Sequence, residues 1–227
     1  MSPPFSQDTP IRVSEWFLSL QGEGPTAGVP AHFLRLQGCS VGCQWCDSKY
    51  TWEPEKGEES SLRTIAAALA KLGKAELFVL TGGEPMEHPQ FQDIVAWASS
   101  RWKRVEIETS GSQRPPPVPA NVNWNWSPKL NSATENSDAT WQYASQFKTT
   151  DQYICKVVVD TQLDWGDLQL RLERAHIPKN HVVVMAQGVS HEQVHERYQW
   201  LAPLCIQAGY RLTPRLHVDI WGAKRGV

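Results

Sequence analysis

Three cysteines crowd into one short run of this 227-residue chain: Gly38-Cys39-Ser40-Val41-Gly42-Cys43-Gln44-Trp45-Cys46-Asp47. Thiolates are soft ligands that select zinc or iron–sulfur clusters, and a cluster held by three thiolates leaves one iron open to an outside ligand. A zinc knuckle completed by His32 or Asp47 would use the same thiols. Structural zinc sites, however, usually pair two hooks across a longer span, and the sequence offers no second hook. Cys155 and Cys205 lie in apolar surroundings and read as ordinary buried thiols. The odd total of five, clustered at one place, suits metal ligation in a reducing compartment better than a disulfide framework.

Other segments carry chemistry less specifically. Gly82-Gly83-Glu84-Pro85 is either a turn with proline in the following first turn or a place where a ligand reaches bare backbone. Glu108-Thr109-Ser110-Gly111, Ser127-Pro128-Lys129 and Met185-Ala186-Gln187-Gly188 each follow an apolar run. His191-Glu192-Gln193-Val194-His195 matches the zinc-hydrolase pattern His-Glu-x-x-His. Ser190 and Gln193 instead form a capping box, which puts both histidines in the first turns of a surface helix whose buried stripe is Val194, Tyr198, Leu201 and Cys205. No third zinc ligand is evident, so a zinc hydrolase is the least favoured reading. In 215–221 polar and apolar residues alternate, which predicts a strand with Arg215, His217 and Asp219 on one face.

The elements that must position these residues alternate between two periods. Apolar runs at 31–36, 76–80, 104–108, 121–126, 153–159 and 182–185 predict strands. Helical periods appear at 61–72, 91–98, 163–174 and 191–208. Such alternation predicts an α/β fold with a mostly parallel sheet, open or partly closed as a barrel, whose ligands bind beyond the carboxyl ends of the strands. The cysteines follow the first of those strands. A single domain over 1–227 is expected, with a polar arm at about 1–10 and a polar insertion at about 130–152. A net charge of −2 without a basic stripe argues against nucleic acid and for small-molecule chemistry. No stretch reaches the roughly 18 apolar residues of a membrane span, so a soluble cytoplasmic protein is expected.

The pattern Cys-x-x-x-Cys-x-aromatic-Cys, here Cys39, Cys43, Trp45 and Cys46, resembles the signature of the radical S-adenosylmethionine superfamily. The resemblance implies a partial (incomplete) parallel β/α barrel and a 4Fe-4S cluster on the three cysteines. It implies that S-adenosylmethionine chelates the open iron and is cleaved to a 5′-deoxyadenosyl radical that takes hydrogen from substrate. Trp45 would cover the cluster or lie near the adenine, with Cys46 and Asp47 beside it, and Gly82, Gly83 and Glu84 would meet the methionyl amino group. Glu108, Ser127, Pro128, Lys129 and Met185, Ala186, Gln187, Gly188 occupy strand ends that border the cofactor in related enzymes.

More specifically, Leu20-Gln21-Gly22-Glu23-Gly24, Arg35, Cys46-Asp47-Ser48 and Thr81 are similar to the pattern of 7-carboxy-7-deazaguanine synthases. That resemblance implies ring contraction of 6-carboxy-5,6,7,8-tetrahydropterin with loss of ammonia, on the route to queuosine and other 7-deazapurines. Glu23 would accept N–H bonds from the pterin, Arg35 and Mg2+ on Ser48 would take its carboxylate, and Leu20, Gln21, Gly22, Thr81, His217 and Asp219 would complete the pocket. A flavodoxin or ferredoxin-type electron donor and a homodimer are also implied. A glycyl-radical activase would share the cluster loop and double glycine without needing Gln21 to Gly24 or Ser48. A non-catalytic iron–sulfur module would bind no S-adenosylmethionine.

Overall fold

Alternation along each strand sorts apolar from polar side chains, and that sorting builds the molecule. In the computed structural model, which describes residues 6–149 and 152–227, one face of the sheet carries Leu34, Leu36, Phe78, Leu80, Val105, Ile107, Trp124, Trp126, Val157 and Val159, all buried in the main core. The opposite face carries Arg35, Thr81, Glu106, Glu108, Asn125 and Lys156 at the alternate positions. Period-two geometry makes the first face a floor for helices and the second the wall of a polar hollow.

Among the described residues nine strands form one open sheet in the order β3-β1-β2-β4-β5-β6-β7-β8-β9. They are β1 (Ile11–Leu20), β2 (Pro30–Leu36), β3 (Glu58–Ser60), β4 (Leu77–Gly82), β5 (Arg104–Thr109), β6 (Val122–Trp126), β7 (Tyr153–Val159), β8 (Val182–Ala186) and β9 (Arg211–Thr213). From β2 to β9 every pairing is parallel, while β1 runs antiparallel to both β2 and β3. The helices are α1 (Leu62–Leu72), α2 (Phe91–Ser99), α3 (Ala144–Phe147), α4 (Gln162–Arg174), α5 (His191–Ala208) and α6 (Leu216–Trp221). Leu62, Ile65 and Leu69 of α1, Ile94 and Ala98 of α2, Leu168 and Leu172 of α4, and Val194, Leu201 and Cys205 of α5 press onto the apolar face. The sheet does not close, so the predicted partial barrel is borne out.

Two expectations need correction. Residues 215–221 form no strand: Arg215 is the N-cap of α6, and Pro214 just before it interrupts the extended backbone that began in β9. The segment 130–152 is not merely a polar loop either, although Thr150 and Asp151 lie outside the described residues. Ala133, Thr134, Ser137, Thr140 and Phe147 are buried, and Trp126 donates its indole N–H to the Thr140 carbonyl at 3.1 Å. Of the arm at about 1–10, Met1 to Phe5 also lie outside the described residues.

Candidate active site

The cysteine loop leaves β2 through Gly38, whose φ of +104° admits glycine far more easily than any other residue. Backbone bonds from Gly38 N to Thr51 O at 2.7 Å and from Cys39 N to Trp52 O at 3.2 Å fold the loop back on itself. The 130–152 segment braces its far side: Gln44 N donates to Ala133 O at 2.8 Å and the Thr134 hydroxyl donates to Val41 O at 2.8 Å. All five cysteines are free. Burial pushes the Cys39 thiol up to about 12 and raises Cys43, whose shift Lys129 opposes.

Beside the loop opens a cleft of about 270 Å³ at the carboxyl ends of the parallel strands. Its polar half is a charge network. Lys156 of β7, only 2% exposed, donates to Glu23 Oε2 at 2.7 Å and to Glu108 Oε2 at 2.6 Å. Glu108 Oε1 accepts from Gln21 Nε2 at 3.2 Å and Asn125 Nδ2 at 2.9 Å. Glu23 also faces Arg215 at 3.4 Å and His217 at 3.8 Å, and Arg215 reaches Asp47 Oδ2 at 2.7 Å. Burial alone would raise the Glu23 carboxyl, but Lys156, Arg215 and His217 overcome it and hold the group far below the usual carboxylate range. Burial likewise opposes charge on Lys156, and Glu108 with Glu23 outweighs it, so the ammonium is held on. His217 goes the other way: burial lowers it, and Glu23 compensates only in part.

The other wall is set by β1. Glu15 pairs in register with Arg35, accepting from its Nε at 2.7 Å, and also accepts from the Tyr50 hydroxyl at 2.9 Å and Arg225 Nε at 2.8 Å. Phe17 and Phe33 stack with centroids 4.8 Å apart and line the same cleft. The chain's end closes the arrangement. Leu216 N donates to Gly22 O at 2.9 Å, and the His217 ring lies where a Cβ on Gly22 would be, so only glycine admits it.

Most of the residues singled out in the sequence meet here. Leu20, Gln21, Gly22, Glu23, Arg35, Thr81 and His217 line the cleft, as do Cys43, Trp45, Cys46, Asp47, Ser48, Gly82, Gly83, Glu108, Ser127, Lys129 and Met185. Cys39, Glu84, Pro128, Ala186, Gln187, Gly188 and Asp219 do not. Glu84 is buried with its carboxylate accepting from Thr109 Oγ1 at 2.7 Å, Ser110 N at 2.7 Å and Met86 N at 3.1 Å, tying β4 to β5. Gly188 O accepts from Arg215 at 2.5 Å. Asp219 lies against His191 instead, which supplies the third metal-ligand type that the sequence had not revealed beside the His-Glu-x-x-His run. His32 is no zinc ligand: it lies near the start of β2, donating to Gly73 O at 3.2 Å and accepting from Trp102 Nε1 at 3.0 Å. Lys156 was missed altogether. Its one signal was a lone charge inside the apolar run Tyr-Ile-Cys-Lys-Val-Val-Val.

Comparison with known proteins fixes the relationship. Residues 34–116 match the family model for the radical SAM superfamily. The chain is 35% identical over 220 residues to the 7-carboxy-7-deazaguanine synthase of Pyrobaculum aerophilum, covering 95% of this chain and 97% of that one. The chain belongs to the 7-carboxy-7-deazaguanine synthase family. The Halobacterium salinarum member is 33% identical, with 93% of this chain and 90% of the relative covered. The crystal structure of QueE from Escherichia coli superposes with a TM-score of 0.66 at 27% identity, covering 90% and 93% of the two chains. Streptococcus suis SuiB bound to S-adenosylmethionine shares the fold alone, at 11% identity and a TM-score of 0.51 over 78% of this chain and 47% of SuiB.

The donor set fits the cofactors of a 7-carboxy-7-deazaguanine synthase. Three free thiols on one short loop suit iron, and the buried indole N–H of Trp45, on the same loop, has no hydrogen-bond partner among the described residues. A Cβ on Gly83 would collide with the Gly38 carbonyl and come within 2.6 Å of Cys39 Cβ, so the double glycine and the cysteine loop close on each other only because the side chain is absent. The Ser48 hydroxyl, donating to Asp47 Oδ1 at 2.9 Å, places hard oxygens of the kind magnesium takes at the cleft edge.

Proposed function

We propose that this chain, acting as one domain, converts 6-carboxy-5,6,7,8-tetrahydropterin to 7-carboxy-7-deazaguanine with loss of ammonia. The observation that carries this reading is the meeting, in one cleft, of the three-cysteine loop with the Glu23 and Glu108 carboxylates on either side of Lys156. When bound, the 4Fe-4S cluster and S-adenosylmethionine supply one-electron hydrogen-atom chemistry, and magnesium a hard positive charge.

The chain's own residues do the rest. Cys39, Cys43 and Cys46 are the residues that would hold three irons of the cluster; Gly82 and Gly83 leave backbone bare where the methionyl group would bind, and Trp45 and Asp47 would flank it. A pterin presents adjacent N–H donors, which a carboxylate accepts in a bidentate pair. Glu23 is that acceptor, and its depressed pKa keeps it ionised throughout the neutral range. Arg35, oriented by Glu15, receives the substrate carboxylate, and Ser48 is the residue that would hold magnesium beside it. Phe17 and Phe33 border the ring. Conversion of the substrate to product plus ammonia needs no net oxidation, so the hydrogen removed from the carboxylate-bearing carbon must be returned.

Family resemblance supports a flavodoxin or ferredoxin-type donor, a homodimer and a cytoplasmic setting; no helix among the described residues is long and apolar enough to cross a membrane. The test is anaerobic reconstitution with iron and sulfide, then mass spectrometry after adding substrate, S-adenosylmethionine, reductant and magnesium. The expected product is 7-carboxy-7-deazaguanine, absent with Cys43→Ala. If 5′-deoxyadenosine appeared without it, the substrate assignment would fall and a glycyl-radical activase would gain.

A further inference from the structure

Outside the cleft, the first turns of α5 and the middle of α6 bring together a second group of ligating side chains. His191 and His195 are one helical turn apart with ring centroids separated by 3.8 Å, and His191 Nδ1 lies 3.2 Å from Asp219 Oδ1. A ligand atom from each of the three residues lies within 4.8 Å of the others. In a tetrahedral zinc site with bonds of about 2.0–2.1 Å, neighbouring ligand atoms stand about 3.3 Å apart. The His191–Asp219 edge already has that length, and the remaining contraction is within reach of rotation about the exposed histidine side chains.

We propose that His191, His195 and Asp219 bind a divalent transition metal of the zinc class, and that the ion ties α6 to α5. Two imidazoles and one carboxylate are a borderline donor set that suits zinc and its neighbours and disfavours magnesium, which takes oxygens. The three protein ligands leave one position to water. The site is a clamp rather than a hydrolytic centre: Glu192 is fully exposed, and neither His191, His195 nor Asp219 lines the cleft. What the clamp would hold is consequential. Asp219 sits on a six-residue helix whose N-cap Arg215 and second residue His217 face Glu23, so fixing α6 fixes one wall of the cleft.

The experiment uses cluster-loaded protein, so that the cysteines do not compete for zinc, with excess magnesium present. Equilibrium dialysis against micromolar zinc is followed by metal analysis and by amide hydrogen exchange. The expected result is one zinc per chain in the wild type, lost with His195→Ala and with Asp219→Asn, together with zinc-dependent slowing of exchange at Asp219 N and Gly222 N. Those amides close the hydrogen bonds of α6 to Arg215 O and Val218 O. Zinc binding unaffected by either substitution would overturn the site. Zinc lost with His195→Ala but kept with Asp219→Asn, without slowed exchange in α6, would overturn the clamp.

Discussion

Replacing Lys156 by methionine isolates what the buried ammonium contributes. The side chain is 2% exposed and bonds Glu23 and Glu108 at 2.7 and 2.6 Å, while those carboxylates are 16% and 17% exposed at the cleft wall. Removing one partner of a buried ion pair typically costs about 3–5 kcal/mol, because the other charge is left uncompensated. Here two charges are left, but the cleft gives both some access to water, and Arg215 still faces Glu23, so the expected loss is about 3 kcal/mol. With an m-value of about 3 kcal/mol/M, that moves a urea midpoint by about 1 M.

The loss must depend on pH. Glu23 has a folded pKa held below its ordinary value of 4.5, so its contribution in the wild type is fully present above that value and declines as pH falls toward the folded one. In Lys156→Met the carboxyl rises, and protonation relieves the uncompensated charge. The gap between the two proteins should therefore be widest near pH 7 and shrink toward pH 4. Adding Glu23→Gln to Lys156→Met should recover a large part of the loss at pH 7. Urea unfolding followed by tryptophan fluorescence measures all three proteins. A loss below about 1 kcal/mol, or one that is flat between pH 7 and pH 4, would refute the electrostatic reasoning.

Gly83→Ala should cost about 1–3 kcal/mol through overpacking against backbone, and should lower iron content after reconstitution, measured by thermal melting and iron analysis. Glu84→Ala leaves Thr109, Ser110 and Met86 donors without their acceptor; a loss of about 2–3 kcal/mol in chemical unfolding is expected, with activity falling alongside it. Ser48→Ala should raise the magnesium concentration needed for half-maximal product formation while leaving the cluster's visible absorption unchanged. Gly22→Ala should displace the His217 ring and raise KM for the pterin more than it lowers kcat, read from steady-state product formation.

The βα rhythm is legible because its strands are apolar on the helix-covered face and long enough to show it: the strand at 153–159 and the helix at 191–208 follow directly from the periodicity. The cysteine loop was legible from spacing alone. β1 was not, since Ile-Arg-Val-Ser-Glu-Trp-Phe-Leu-Ser-Leu carries a charge at Glu15 whose partners, Arg35, Tyr50 and Arg225, are all distant in the chain. β9 has three residues, too few for a period. The alternation at 215–221 misled because a six-residue helix samples less than two turns, and its placement is decided by Gly22, nearly two hundred positions away. Lys156 failed for the same reason: its partners are 133 and 48 residues distant, and no local pattern announces them.

The central claim is that the Glu23 and Arg35 walls of the cleft read a carboxylated pterin, and a crystal structure of cluster-loaded protein with S-adenosylmethionine, magnesium and 6-carboxy-5,6,7,8-tetrahydropterin tests it most directly. The expected result is pterin N–H groups within hydrogen-bond distance of the Glu23 carboxylate and the substrate carboxylate against Arg35, with magnesium at Ser48. A pterin bound away from Glu23, with Lys156 still bridging Glu23 and Glu108 undisturbed, would contradict it.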